Sequence, residues 1–191
     1  MSRTPATKAS SEPVDEQPGS YALLGLIEQA GGSSHGYSLL QEFVPGKPLA
    51  DIIQLNPSML YHLLKRLAAR EWIIIEQTAG GAPRSRQRCR ITPAGRDELT
   101  RWILTPVAHT RELRLEFLVK LAVARMICPD LEPDLVDEQI TLCHAWRDSM
   151  VVELEQLSEK PESSSGFKPL VLSLRLNQTE SACRWLEELL P

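Results

Sequence analysis

Asn56-Pro57-Ser58-Met59-Leu60-Tyr61-His62-Leu63-Leu64-Lys65-Arg66-Leu67 decides how the rest of the chain is understood. It reads as a helix with two unlike faces. Met59, Leu60, Leu63, Leu64 and Leu67 fall on one stripe at helical spacing. Ser58, Tyr61, His62, Lys65 and Arg66 fall on the other. Asn56 suits the N-cap and Pro57 the first helical position. The polar stripe holds no acid before Glu71. An ordinary solvated face mixes Glu with Lys. This one offers two cations, a phenol, an imidazole and a hydroxyl, the groups that meet base edges and phosphates in a DNA groove.

The sequence on its C-terminal side strengthens that expectation. Trp72-Ile73-Ile74-Ile75-Glu76-Gln77 is short, apolar and β-branched, which predicts a strand. Thr78-Ala79-Gly80-Gly81-Ala82-Pro83 is a turn cluster. Arg84-Ser85-Arg86-Gln87-Arg88-Cys89-Arg90-Ile91 predicts the returning strand. Its four arginines alternate, and strand geometry puts alternate side chains on one face. A hairpin with a guanidinium face beside a basic helix is a wing suited to neutralising phosphates. Thr92-Pro93 then caps and starts another helix, with Leu99, Trp102, Ile103 and Leu104 as its apolar positions.

On the N-terminal side, Tyr21 to Glu28 predicts a first helix, stopped by Gly31-Gly32-Ser33-Ser34. Tyr37 to Phe43 predicts a short second helix that buries Leu39, Leu40 and Phe43. Pro45-Gly46-Lys47-Pro48 is a loop. The order helix, helix, helix, strand, strand, helix is that of a winged helix-turn-helix with a two-stranded wing. The expected organisation is a disordered tail over 1–19, a winged helix-turn-helix domain over 20–105, and an all-helical domain over 106–191. The last should carry three helices: Glu112 to Met126, Pro133 to Glu159 and Leu170 to Leu190. The fold class is therefore mainly α. Helices this long, with little else to pack on, call for a second copy of the chain to cover their apolar faces.

The net charge of −4 argues against a DNA binder until the halves are separated. Residues 1–105 carry 12 Lys and Arg against 10 Asp and Glu, or +2; residues 106–191 carry 9 against 15, or −6. From Leu60 to Arg101 the balance is nine against four, or +5. The asymmetry, not the total, bears on nucleic acid. The four cysteines, Cys89, Cys128, Cys143 and Cys183, form no CxxC pair, so neither a zinc site nor a disulfide framework is expected. Residues 1–19 lack the apolar core of a signal peptide, and no segment suits a membrane span, so a cytoplasmic location is expected. No nucleophile–base pair, phosphate loop or metal-ligand spacing points to an enzyme, and no cofactor is expected. The alternative is a winged helix that binds protein rather than DNA; the acid-free helix face and the arginine strand weigh against it.

Several ordered motifs resemble the PadR-like transcriptional regulators. Ala22-Leu23-Leu24-Gly25-Leu26 followed by His35-Gly36-Tyr37 resembles the family's opening helix and His-Gly-Tyr turn. Leu60-Tyr61 with Leu63-Leu64-Lys65-Arg66-Leu67 resembles its recognition helix, Trp72-Ile73 the opening of its wing, and Ile91-Thr92-Pro93-Ala94-Gly95-Arg96 the start of its fourth helix. Arg114-Leu115-Glu116-Phe117-Leu118-Val119-Lys120-Leu121 is similar to the C-terminal domain of the virulence-activator-like branch. The resemblance implies a homodimer held by C-terminal helices. It also implies transcription control, usually repression, relieved in some members by phenolic or other aromatic molecules. One departure matters: the family often has Gly where Glu71 stands, and a left-handed residue there would cost Glu71 of order 1 kcal/mol.

The candidate DNA contacts are Ser58, Tyr61, His62, Lys65 and Arg66 of the helix and Arg84, Arg86 and Arg88 of the wing. The plainer alternative for each is a solvated surface residue. Arg90 is expected to lie too near the hairpin base to reach DNA. Trp102 and Trp146 are the candidate aromatic-effector residues, against a role, shared with Trp185, as core and interface anchors. His35 is read as a turn residue. The flanking Arg88 and Arg90 would lower the pKa of Cys89, which opens a redox role, but strand filler is the preferred reading.

Overall fold

The computed structural model describes residues 17–77, 87–159 and 166–190. The chain runs α1 (Gln17–Gln29), β1 (Ser33–His35), α2 (Gly36–Gln41), α3 (Pro57–Ala69), β2 (Ile73–Gln77), β3 (Gln87–Ile91) and α4 (Pro93–Leu104). A 3-10 turn over Thr110–Arg114, α5 (Glu116–Ile127), a second 3-10 turn over Pro129–Leu131, α6 (Glu132–Glu159) and α7 (Phe167–Glu187) follow. The expected turn over 78–83, Arg84, Arg86 and the Lys160–Gly166 break up to residue 165 lie outside the described residues. So does most of the expected tail. Its last three residues belong to α1, which buries Pro18 and Gly19.

α1 is the hub. Its Leu23, Leu24 and Ile27 are fully buried and join Leu60, Leu63, Leu64 and Leu67 of α3 in one apolar core. Phe117, Val119 and Val123 of α5 and Leu99 and Ile103 of α4 belong to the same core. Gly25 lets α5 approach α1 closely, since a Cβ there would lie 2.6 Å from Val123 Cγ1. The C-terminal half is thus seated on the first helix through α5. α6 and α7 pair with each other, tied by His144 to Glu187 at 3.0 Å and Lys168 to Glu153 at 2.9 Å. Buried Gln139 of α6 holds the linker, accepting from Val107 N at 2.8 Å and donating to Val107 O at 3.3 Å.

The sheet is antiparallel and three-stranded, in the order β1-β3-β2, where the sequence predicts two strands. The extra strand is Ser33–His35, within the stretch read as a helix stop. It pairs as Ser33 with Arg90, Ser34 with Cys89 and His35 with Arg88. The expected C-terminal helix from Glu112 is also modified. Its first residues form a 3-10 turn, broken from α5 at Leu115, and the two amides just ahead of the turn, Ala108 N and His109 N, donate to Glu112 Oε2 at 3.0 Å each.

Candidate nucleic-acid interface

The local chemistry of α3 matches its sequence. Asn56 Oδ1 accepts from Met59 N at 2.9 Å, with Pro57 in the first turn. Leu60, Leu63, Leu64 and Leu67 are buried. Met59, expected on that stripe, is exposed. Ser58, His62 and Lys65 are exposed on the other face, and Tyr61 and Arg66 are half-buried. The helix ends in a Schellman motif: Trp72 N donates to Leu67 O and Glu71 N to Ala68 O, both at 3.0 Å. Glu71 is the left-handed residue of that motif, with φ 60°. Its carbonyl accepts from Thr92 Oγ1 at 2.7 Å, which joins the end of α3 to the start of α4.

The strand face is as alternation requires. Cys89 and Ile91 are buried, while Arg88 and Arg90 are exposed. Arg88 Nε donates to Ser33 Oγ at 2.7 Å. Arg90 is engaged by Glu76 at 3.2 Å across the hairpin, so its charge is partly balanced before any ligand arrives. The thiol of Cys89 departs from the lowered pKa expected of it, while its preferred reading as strand filler holds. Burial pushes its thiol up to about 11, so it is not an activated thiolate. The arginines that flank it in sequence project from the opposite face of the strand. Cys89 is strand filler. His35 is exposed at the N-cap of α2 without a side-chain capping bond. Among the described residues no group of three or more His, Cys, Asp or Glu is placed to hold a metal. No described helix is long and apolar enough to cross a membrane.

Where α1, α4 and α5 meet, a polar cluster lies against apolar core. Trp102 is buried and stacks on Tyr21 with centroids 4.2 Å apart. Its Nε1 donates to Glu116 at 3.1 Å. Tyr21 donates to Glu98 at 2.6 Å. Lys120, fully buried, donates to the carbonyls of Trp102 and Thr105 at 2.7 Å each, pairs with Glu116 at 3.3 Å, and lies 4.4 Å from the Trp102 ring centroid. Burial lowers its pKa, partly offset by Glu116. The ammonium thus caps the C-terminus of α4 from α5. Sequence reasoning missed this group, because a lysine in an apolar run gives no sign of which carbonyls it will meet.

The two candidate effector tryptophans line different cavities. Trp102 borders one of about 380 Å³ with Glu98, Glu112, Glu116 and Lys120. Trp146, half-buried, borders one of about 510 Å³ with His109, Arg111, Met150 and Arg175.

Three helices, a short sheet and a fourth helix, with an acid-free polar face on α3 and exposed arginines on β3, define a winged helix-turn-helix protein. Residues 23–101 match the sequence profile of the Transcriptional regulator PadR-like family. It is similar to the Negative transcriptional regulator PadR of Bacillus subtilis (strain 168), with 25% identity over 175 residues, covering 89% of this chain and 94% of the relative. Among solved structures it is similar to Bacillus subtilis PadR in complex with operator DNA, at 23% identity and a TM-score of 0.44, covering 93% of this chain and 98% of that one. It is also similar to the same protein in complex with p-coumaric acid, at 23% identity and a TM-score of 0.41, covering 93% and 96%.

Proposed function

We propose that this transcriptional regulator is a cytoplasmic, homodimeric, sequence-specific DNA-binding repressor. The observation that carries the reading is the outward face of α3. Ser58, Tyr61, His62, Lys65 and Arg66 lie along it without a carboxylate, and Arg88 of β3 is likewise exposed. α3 enters the major groove, where Tyr61, Ser58 and His62 approach base edges and Lys65 and Arg66 meet phosphate or guanine. Arg88, with Arg84 and Arg86, contacts the flanking backbone. Repression is favoured by the similarity to a negative regulator over most of the chain.

The dimer follows from apolar surface at the far end of the α6–α7 pair. Phe167, Leu170, Val171 and Leu174 recur at i, i+3, i+4 and i+7 and are exposed, with Val152 of α6 also exposed. One such stripe on each of two copies makes a self-complementary interface. On this reading the division at 105/106 separates a DNA-reading part from a dimerising part, and the resemblance of Arg114–Leu121 supports the virulence-activator-like branch. An aromatic effector is accommodated at Trp146, where an indole stands beside Arg111 and Arg175; Trp102 lines the neighbouring cavity but is already committed to Tyr21 and Glu116.

Selection of bound duplexes from a random pool tests the reading. An inverted repeat is expected, with affinity falling steeply in salt at a log–log slope of about −0.9 per phosphate contact. Replacing Lys65 and Arg66 together by Ala should abolish binding while the circular dichroism spectrum and melting remain those of a folded protein. Undiminished binding by that double variant refutes the assignment of α3.

A further inference from the structure

We infer that the corner where β1 runs into α2 is a positioning element, in which Gly36 and Ser33 set the orientation of two DNA-facing side chains, Tyr61 and Arg88. The inference rests on the DNA reading proposed above. Neither corner residue is itself a contact.

Gly36 opens α2 and is buried. It is not among the residues with positive φ, so its backbone suits any amino acid. What it lacks is space. A Cβ there would lie 3.0 Å from Tyr61 Cε1 and 3.3 Å from Tyr61 Oη. The phenol of the recognition helix therefore lies directly on the bare backbone of the preceding helix. Even one methyl would push the ring outward by a few tenths of an ångström, moving the hydroxyl relative to the bases it is to meet.

Ser33 does the corresponding work for the wing. Its Oγ accepts from Arg88 Nε at 2.7 Å. Holding the guanidinium by its inner nitrogen fixes the plane of a side chain that otherwise samples many rotamers, so less entropy is lost when its outer nitrogens meet a phosphate. β1 pairs with β3 in a fixed register that puts His35 opposite Arg88. A corner of four residues thereby ties the recognition helix to the wing.

Double-mutant cycles on duplex DNA recovered by the unaltered protein test this. Gly36→Ala should lower affinity about three- to tenfold, the loss expected when one polar contact is misplaced. In a Tyr61→Ala background the same change should have no further effect. The readout independent of DNA is the ring NMR signal of Tyr61, one of three tyrosines and assignable with Tyr61→Phe. Gly36→Ala should shift it and leave the melting curve near wild type. Ser33→Ala supplies a second, surface variant: affinity should fall, the salt slope should flatten by up to about 0.9, and both effects should vanish in an Arg88→Ala background. An unmoved Tyr61 signal, or losses that simply add in both cycles, overturns the inference while leaving DNA binding intact. If the unaltered protein recovers no duplex at all, the DNA reading falls and takes this inference with it.

Discussion

Replacing Glu71 by Gly should stabilise the protein. Glu71 is the C′ residue of α3 and holds φ 60°, where a Cβ crowds the following carbonyl. That conformation costs an L-residue about 1–2 kcal/mol. Glycine is free of the cost but loses about 0.5–1 kcal/mol more backbone entropy on folding. The conformational gain is thus about 0.5–1 kcal/mol. The Schellman hydrogen bonds of Glu71 N and Trp72 N, and the bond from Thr92 Oγ1 to the Glu71 carbonyl, use backbone atoms only and survive the change. For a chain of this length the gain corresponds to a melting point higher by about 1–4 °C. The urea midpoint should rise with an unchanged slope. A carboxylate near a helix C-terminus is itself mildly unfavourable. Glu71→Ala therefore serves as the control: it removes the charge but keeps the Cβ. The decisive quantity is the difference between the two variants, read from circular dichroism melts. If Glu71→Ala gains as much as Glu71→Gly, or Glu71→Gly melts below wild type, the left-handed strain argument is wrong.

Other outcomes follow from groups already described. Lys120→Met should destabilise by about 3–5 kcal/mol in urea unfolding, because it leaves Glu116 without its buried cation and two carbonyls without their donor. A loss below 1 kcal/mol would show that water replaces the ammonium. In the native protein Cys128 should react readily with a disulfide reagent near pH 8, while Cys89 and Cys143, both buried and pushed up to about 11, should react only after unfolding. Arg125 lowers the pKa of Glu132 through a direct hydrogen bond, so that pair contributes stability above the ordinary carboxylate value of 4.5 and loses it as pH falls through the lowered folded value. Arg125→Gln should accordingly lower stability near neutral pH and flatten its decline in acid, measured by urea unfolding at pH 3 to 7. Sedimentation at micromolar concentration should give about twice 21.4 kDa, and replacing Leu170 and Leu174 together by Glu should yield monomer.

The elements that the sequence announces are those whose causes lie within a few residues of one another. Asn56-Pro57 and Thr92-Pro93 carry both the capping oxygen and the preset φ, and both caps form as expected. Leucines three and four apart in α3 find the core together, and Arg88 and Arg90 share a strand face because the side-chain period is two. The same periodicity explains the error at Cys89. Its neighbours in sequence are its opposites in space, so their charge does not act on the thiol and burial does. β1 escaped notice because Ser33, Ser34 and His35 have little strand propensity; pairing with the edge of β3 makes them a strand.

What the sequence by itself determined, then, is the winged helix and the polar identity of the α3 face, since helix and strand periodicity and end-capping are local physics. What only the tertiary structure decided is how those parts are held. Tyr61 lies on Gly36, Arg88 is pinned by Ser33, Trp102 is stacked on Tyr21, and Lys120 closes the end of α4. Each joins residues 15 to 81 positions apart. Such contacts depend on how whole elements dock, and docking is fixed by the shared apolar core rather than by any single stretch of chain.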